Sequence, residues 1–224
     1  MMLPAPPALP YPALCLVTDR SYSKGQPLSS IVGEALEGGV NMVQLREKDM
    51  PAGELLVLAT SLRETIRRHN ALLVVNDRVD VALAAEADGV QLGEDALPVA
   101  AARRVAGRRL LIGRSVHSAQ GAREAEAQGA DFLVVGAIFP TGSHPGAPPA
   151  GLELLAQVHK AVRIPFLAIG GVNAGNAAKV MSQGAAGVAV ITAILAASDP
   201  RRAARELKDA ITLAAKATAA TTSH

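Results

Sequence analysis

Short apolar runs alternate with amphipathic stretches along nearly the whole chain, and this alternation limits the folds open to it. The runs ALCLVTD, VNMVQLRE, ALLVVND, DGVQL, RLLIGRS, DFLVVGA, IPFLAIG and AGVAVI are too short for buried helices. They lack the polar alternation of a half-exposed strand, which marks strands covered on both faces. Between them, AGELLVLATSLRETIRRH, RVDVALAAE, SAQGAREAEAQ, GLELLAQVHKAV and NAGNAAKVMSQ place apolar residues at helical spacing, as at Leu55, Leu58, Leu62 and Ile66. About eight strand–helix units in roughly 200 residues predict an α/β fold, a single closed (β/α)8 TIM barrel. A doubly wound open sheet is the alternative. The echoes EGGVNMVQL, AEADGVQL, QGADFLVVG and QGAAGVAVI favour the barrel, each being a helix end, a turn and a buried strand.

The barrel is expected over residues 13–216, with flexible tails at 1–12 and 217–224. Half of the 224 residues are hydrophobic and 2% are aromatic, so the core is built from Val, Leu, Ile and Ala. With a formal net charge of +2 and few rings to stack bases, nucleic acid is not the expected partner. The single cysteine, Cys15, excludes an internal disulfide and a cysteine-based zinc site, and is expected to pack in the first strand. No apolar run approaches the roughly 20 residues of a membrane span. The proline-rich N-terminus lacks the basic residues of a signal peptide. A cytoplasmic location, with no membrane partner, is the expectation.

In such a barrel the active site lies at the carboxyl ends of the strands. The residues directly after each apolar run are Thr18-Asp19, Gln44-Arg46-Lys48, Asn76-Asp77, Glu94-Asp95, Ser115-His117, Thr141-Ser143-His144, Gly170-Gly171 and Thr192. Polarity converges on one rim. AIGGVNAG after the seventh run and VITAI after the eighth offer backbone N–H groups and Thr192 to an anion. Thr141 and Ser143 can donate to the same group, and together these features predict a phosphate site. Tight turns alone are the plainer reading of each glycine. QLREK adds Arg46, a fork of donors, and Lys48, a point charge, on the face that carries Gln44. Glu47 points the other way and is expected to be structural. With Asn76, Asp77 and the acids of GEDALP beside them, these cations suit a magnesium–diphosphate unit, or else a rim salt-bridge network.

From LCLVTDR to VITAI the chain resembles the thiamine phosphate synthase and thiazole tautomerase superfamily. The motifs that carry the likeness are GGVNMVQLREKD, VVNDRVDVALAAEADGVQLGED, IGRSVHSAQGAREAEAQGADFLVVGAIFPT and IPFLAIGGV. For a synthase, the resemblance implies alkylation of a thiazole phosphate nitrogen by a pyrimidine methyl diphosphate, with release of pyrophosphate. It implies that Gln44, Arg46, Lys48, Asn76 and Ser115 bind the pyrimidine diphosphate. It also implies that Asp77 holds Mg2+, with Asp95 the expected second ligand, and that Thr141, Ser143, Gly171, Ile191 and Thr192 hold the thiazole phosphate. Arg46, Lys48, Ser115, His117 and His144 are the expected catalytic group, and a homo-oligomer is the expected assembly.

Two departures from the family pattern stand out. The usual lysine after the Thr-x-Thr/Ser of the sixth loop is His144 here, an imidazole that is mostly neutral at pH 7 unless an anion raises its pKa. LGEDALP is one residue shorter than usual, so Glu94 competes with Asp95 as the second metal ligand. The rival reading is a tautomerase, in which His117 of GRSVHS moves protons on a carboxythiazole phosphate. A non-enzymatic sensor of such phosphates is a further alternative. A tautomerase has no evident use for Lys48, Asn76 and Asp77 together, and an intact Arg46–Lys48–Asp77 set argues against a sensor, which favours the synthase.

Overall fold

The computed structural model describes residues 7–142 and 148–222. Eight strands form it: β1 (Ala13–Val17), β2 (Met42–Leu45), β3 (Leu72–Asn76), β4 (Gly89–Leu92), β5 (Leu111–Val116), β6 (Phe132–Val135), β7 (Phe166–Ile169) and β8 (Gly187–Val190). All neighbours are parallel, and β8 pairs back onto β1, with Cys15 opposite Ala189 on one side and Met42 on the other. The sheet closes on itself, which decides between the barrel and the open sheet. Around it lie α1 (Leu28–Glu37), α2 (Ala52–Arg68), α3 (Val79–Ala84), α4 (Val99–Ala106), α5 (Ala119–Ala127), α6 (Gly151–Ala161), α7 (Ala177–Met181), α8 (Thr192–Leu195) and α9 (Pro200–Thr222).

The two faces of each strand separate into two apolar cores, as the period of 2 requires. Cys15, Val17, Met42, Val74, Phe132 and Leu167 fill the barrel interior. Leu14, Leu16, Val43, Leu45, Leu73 and Val75 point outward into the layer beneath the helices. Phe132 is the bulkiest fully buried side chain, and it fits because Gly113 stands opposite it: a Cβ there would overlap both the Phe132 ring and the Gln91 side-chain oxygen.

The four sequence echoes have a common geometry. Gly39, Glu86, Gly129 and Gly184 all adopt positive φ, at 106°, 50°, 92° and 88°, and reverse the chain after a helix. Two residues later, Asn41, Asp88 and Asp131 each cap the N-terminal rim. Asn41 Oδ1 accepts the Leu14 N–H at 2.8 Å, Asp88 Oδ2 that of Leu73 at 2.8 Å, and Asp131 Oδ2 that of Ile112 at 2.7 Å. Even-numbered strands thus satisfy the edge donors of odd-numbered ones. In the fourth echo the position is Ala186, which has no side-chain acceptor. Arg103 bonds to Asp131 at 2.5 Å and to the Gly129 carbonyl at 2.9 Å, tying α4 to the base of β6.

Both expected chain-end boundaries shift. Leu9 packs against the interior core from below, and the Pro12 carbonyl accepts Asn41 Nδ2 at 3.1 Å and Lys208 Nζ at 2.7 Å. Leu9 and Pro12, expected in a flexible tail, are thus packed and bonded at the base of the barrel. At the other end α9 continues to Thr222 rather than stopping at 216. Alanine's helix propensity carries it, and Thr218 Oγ1 donates back to the Ala214 carbonyl at 3.1 Å. Among the described residues, no helix is long and apolar enough to cross a membrane.

Candidate functional site

A cavity of about 490 Å³ opens at the carboxyl ends of the strands. Gln44, Arg46, Lys48, Asn76, Asp77, Glu94, Asp95, Ser115, His117, Thr141, Gly171, Ile191 and Thr192 all line it. Strands far apart in sequence therefore deliver every one of those expected site residues to one mouth. Ser143 and His144 lie outside the described residues.

The wall above β2 is positioned by a buried carboxylate. Glu47 accepts the Thr18 hydroxyl at 2.7 Å and the Arg20 N–H at 3.1 Å, while Thr18 Oγ1 accepts the Arg46 N–H at 2.9 Å. Thr18 is fully buried and Glu47 6% exposed, so this bolt is shielded from water. It turns Glu47 away from the mouth, and Arg46 and Lys48 on either side turn toward it. The Arg46 guanidinium lies 3.6 Å from the Asp19 carboxylate. Asp19 holds the cation without a close hydrogen bond, and an incoming anion competes for the same fork.

The floor is a hydrogen-bonded chain. Gln44 Nε2 donates to Asn76 Oδ1 at 2.8 Å, Asn76 Nδ2 to Asp77 Oδ2 at 2.8 Å, and the Gly93 N–H to Asp77 Oδ1 at 2.7 Å. Asp77 has a φ of 59°, a conformation that aspartate tolerates better than most residues, and it turns the carboxylate into the cavity. The loop after β4 is held from outside by Arg114, which donates to the Gly93 carbonyl at 2.7 Å and to that of Glu94 at 3.3 Å. Glu94 is engaged at 3.2 Å by His117 Nε2, and both side chains are more than half exposed. Asp95, on the same loop, lines the cavity.

The opposite wall is made of backbone. Gly170 and Gly171 have φ of 94° and 64°. A Cβ on Gly170 would lie 2.5 Å from Ala137 Cβ, and one on Gly171 would lie 2.5 Å from the Pro140 carbonyl. Only glycine lets the loop after β6, with Thr141, lie directly on the loop after β7. Ile191 and Thr192, at the start of α8, complete this side.

Several residues that shape the site had no role assigned from sequence. Thr18 and Asp19 were legible as rim residues but not as partners of Glu47 and Arg46. Arg114, Gly93 and Gln91 carried no signal beyond lying at a strand end. Their roles depend on partners on neighbouring strands, and no local pattern reveals a pairing across such a separation.

Comparison with known proteins bears on the family of the chain. Residues 14–194 match the family model described as thiamine monophosphate synthase. A putative thiamine-phosphate synthase of Geobacter sulfurreducens is 49% identical over 87% of this chain and 92% of its own. The thiamine-phosphate synthase of Haloarcula marismortui is 49% identical over 88% of this chain and 95% of its own. Among solved structures, the thiamine phosphate pyrophosphorylase of Pyrococcus furiosus superposes with a TM-score of 0.84 at 43% identity, covering 90% of this chain and 96% of that one. The chain belongs to the thiamine monophosphate synthase family.

Proposed function

We propose that this chain is a thiamine phosphate synthase, joining a pyrimidine methyl diphosphate to a thiazole phosphate and releasing pyrophosphate. The observation that carries the reading is the two-sided cavity. Arg46, Lys48, Asp77 and Asp95 line the same space as Thr141, Gly171 and Thr192, which offers a diphosphate and a phosphate monoester neighbouring places.

The reaction breaks the bond between the pyrimidine methylene carbon and the diphosphate oxygen, with the electron pair leaving on oxygen. The thiazole nitrogen then supplies its lone pair to that carbon. Charge builds on the departing diphosphate, so fixed positive groups accelerate the step more than a base would. Arg46 and Lys48 supply that charge, and the Ser115 hydroxyl adds a neutral donor. Gln44 and Asn76, locked to each other, present a rigid amide surface to the pyrimidine. Thr141, Gly171, Ile191 and Thr192 hold the thiazole phosphate beside it. Any cation formed is flanked by Val17, Val134 and Ile169, whose side chains keep water from adding to it.

Magnesium fits the acidic side. It favours one or two carboxylates with substrate phosphates and water rather than an all-protein cage. Among the described residues no three His, Cys, Asp or Glu side chains gather into a cage, while Asp77 and Asp95 share the cavity. Each Asp77 oxygen accepts one N–H and keeps a lone pair for an ion. His117 engages Glu94, which leaves Asp95 as the second carboxylate. When bound, the ion neutralises diphosphate oxygens.

The experiment is to incubate the purified protein with both substrates and Mg2+, and to measure thiamine phosphate and pyrophosphate. Formation of both in equal amounts is expected. Isomerisation of a carboxythiazole phosphate without condensation would replace this reading with the tautomerase, which none of the relatives named above supports.

A further inference from the structure

Beneath Ser115 the barrel interior holds a polar side chain that the function above does not use. Gln91 sits on β4 at 2% exposure, in register with Asn76 on one side and Gly113 on the other. Its Nε2 donates to Ser115 Oγ at 3.1 Å. Its Oε1 is buried and has no hydrogen-bond partner, alone among buried side-chain oxygen and nitrogen atoms of the described residues. The amide reaches this place only because Gly113 lacks a Cβ, which would overlap Gln91 Oε1.

An orphaned buried acceptor costs on the order of 1–3 kcal/mol. An apolar side chain of the same length would avoid that cost, beside an interior cluster of Val, Leu, Met, Phe, Ala and Cys15. The amide is therefore poorly accounted for by packing. Its one hydrogen bond has a directional consequence. A hydroxyl has one proton and two lone pairs. With a lone pair of Ser115 occupied from below by an N–H, its proton is free to turn up into the cavity.

We propose that Gln91 is a positioning residue for the synthase reaction: it occupies the Ser115 oxygen from beneath and thereby fixes Ser115 as a donor to the leaving diphosphate. The inference rests on the reading of Ser115 given above. Without the amide, the hydroxyl can turn its proton away from the ligand, and the diphosphate loses a charge-assisted hydrogen bond as negative charge develops.

The test is a double-mutant cycle on the full chain with both substrates and Mg2+, combining Gln91→Met with Ser115→Ala, and with Gln91→Leu as a second apolar replacement. Expected are a fall in kcat of about tenfold or more for Gln91→Met, a thermal midpoint that is unchanged or higher, and no further fall when Gln91→Met is added to Ser115→Ala. A structural role would instead lower the midpoint in both Gln91 variants and give kcat losses that multiply with Ser115→Ala. Either result overturns the inference. If Ser115→Ala loses turnover while both Gln91 variants keep it, the positioning role alone fails. If Ser115→Ala turns over like the parent, the Ser115 assignment fails as well.

Discussion

The Asp77 carboxylate accepts the Gly93 backbone N–H at 2.7 Å, fastening the end of β3 to the loop that follows β4. Its second oxygen takes the Asn76 amide, so the side chain is fixed before any ligand arrives. Asp77→Asn keeps an oxygen for Gly93 and removes the charge. Turnover is expected to fall by about 100-fold or more, with thiazole phosphate affinity nearly unchanged. Pyrophosphate release and calorimetric titration of the thiazole phosphate check the two parts. Parent-like turnover would remove Asp77 from the diphosphate side.

Thr18 links two strands through one oxygen, donating to Glu47 and accepting from the Arg46 N–H. Thr18→Val preserves shape and strands both partners in a buried place. The expected cost is about 1–3 kcal/mol in urea denaturation. A lower kcat/KM should accompany it, because the backbone that aims Arg46 loosens. Loss of stability with unaltered kinetics would show that the bolt does not position the guanidinium.

Cys15 lies in the barrel interior, and burial pushes its thiol up to about 12, against a weaker opposing pull from the backbone at Gln44. Reactivity follows the thiolate. Modification by an aromatic disulfide reagent at pH 8 should therefore proceed only as fast as the barrel opens, and go to completion in denaturant. Rapid labelling of the native protein would contradict the interior placement.

Asp88 provides a pH signature. Burial raises its carboxyl pKa, while the Leu73 N–H and the guanidiniums of Arg67 and Arg63 pull it back only in part. A carboxyl with a raised native pKa binds more protons folded than unfolded. Its stabilising contribution is present below the unfolded pKa and is lost as pH rises through the native one. Asp88→Asn keeps an acceptor for Leu73 without the charge. Its thermal midpoint relative to the parent should be highest near pH 7, and the difference should shrink on acidification through the carboxylate range. A difference that grows in acid would reverse the sign.

Which residues reach the mouth was largely legible because a barrel obeys a simple rule. Gln44, Arg46, Lys48, Asn76, Asp77, Ser115 and Thr192 each follow or end an apolar run, and parallel closure sends every such end to one rim. The positions that escaped notice act through a partner. Glu47 looked structural, but nothing local identified Thr18, 29 positions away, as its partner. Gln91 and Ser115, 24 positions apart, meet only because β4 and β5 pair in one register.

The chain ends show the same division. Prolines before residue 13 read as a loose tail because composition reports only the cost of regular structure. It says nothing about an open barrel floor that Leu9 can fill. Periodicity and strand-end chemistry are local properties, so the sequence alone determined the alternation, the barrel and the identity of most rim groups. Closure decided the rest: which donors meet which acceptors, which carboxylate faces away, and where a buried amide is left with one bond unmade. Those depend on distances between strands, and these exist only once the sheet has met itself.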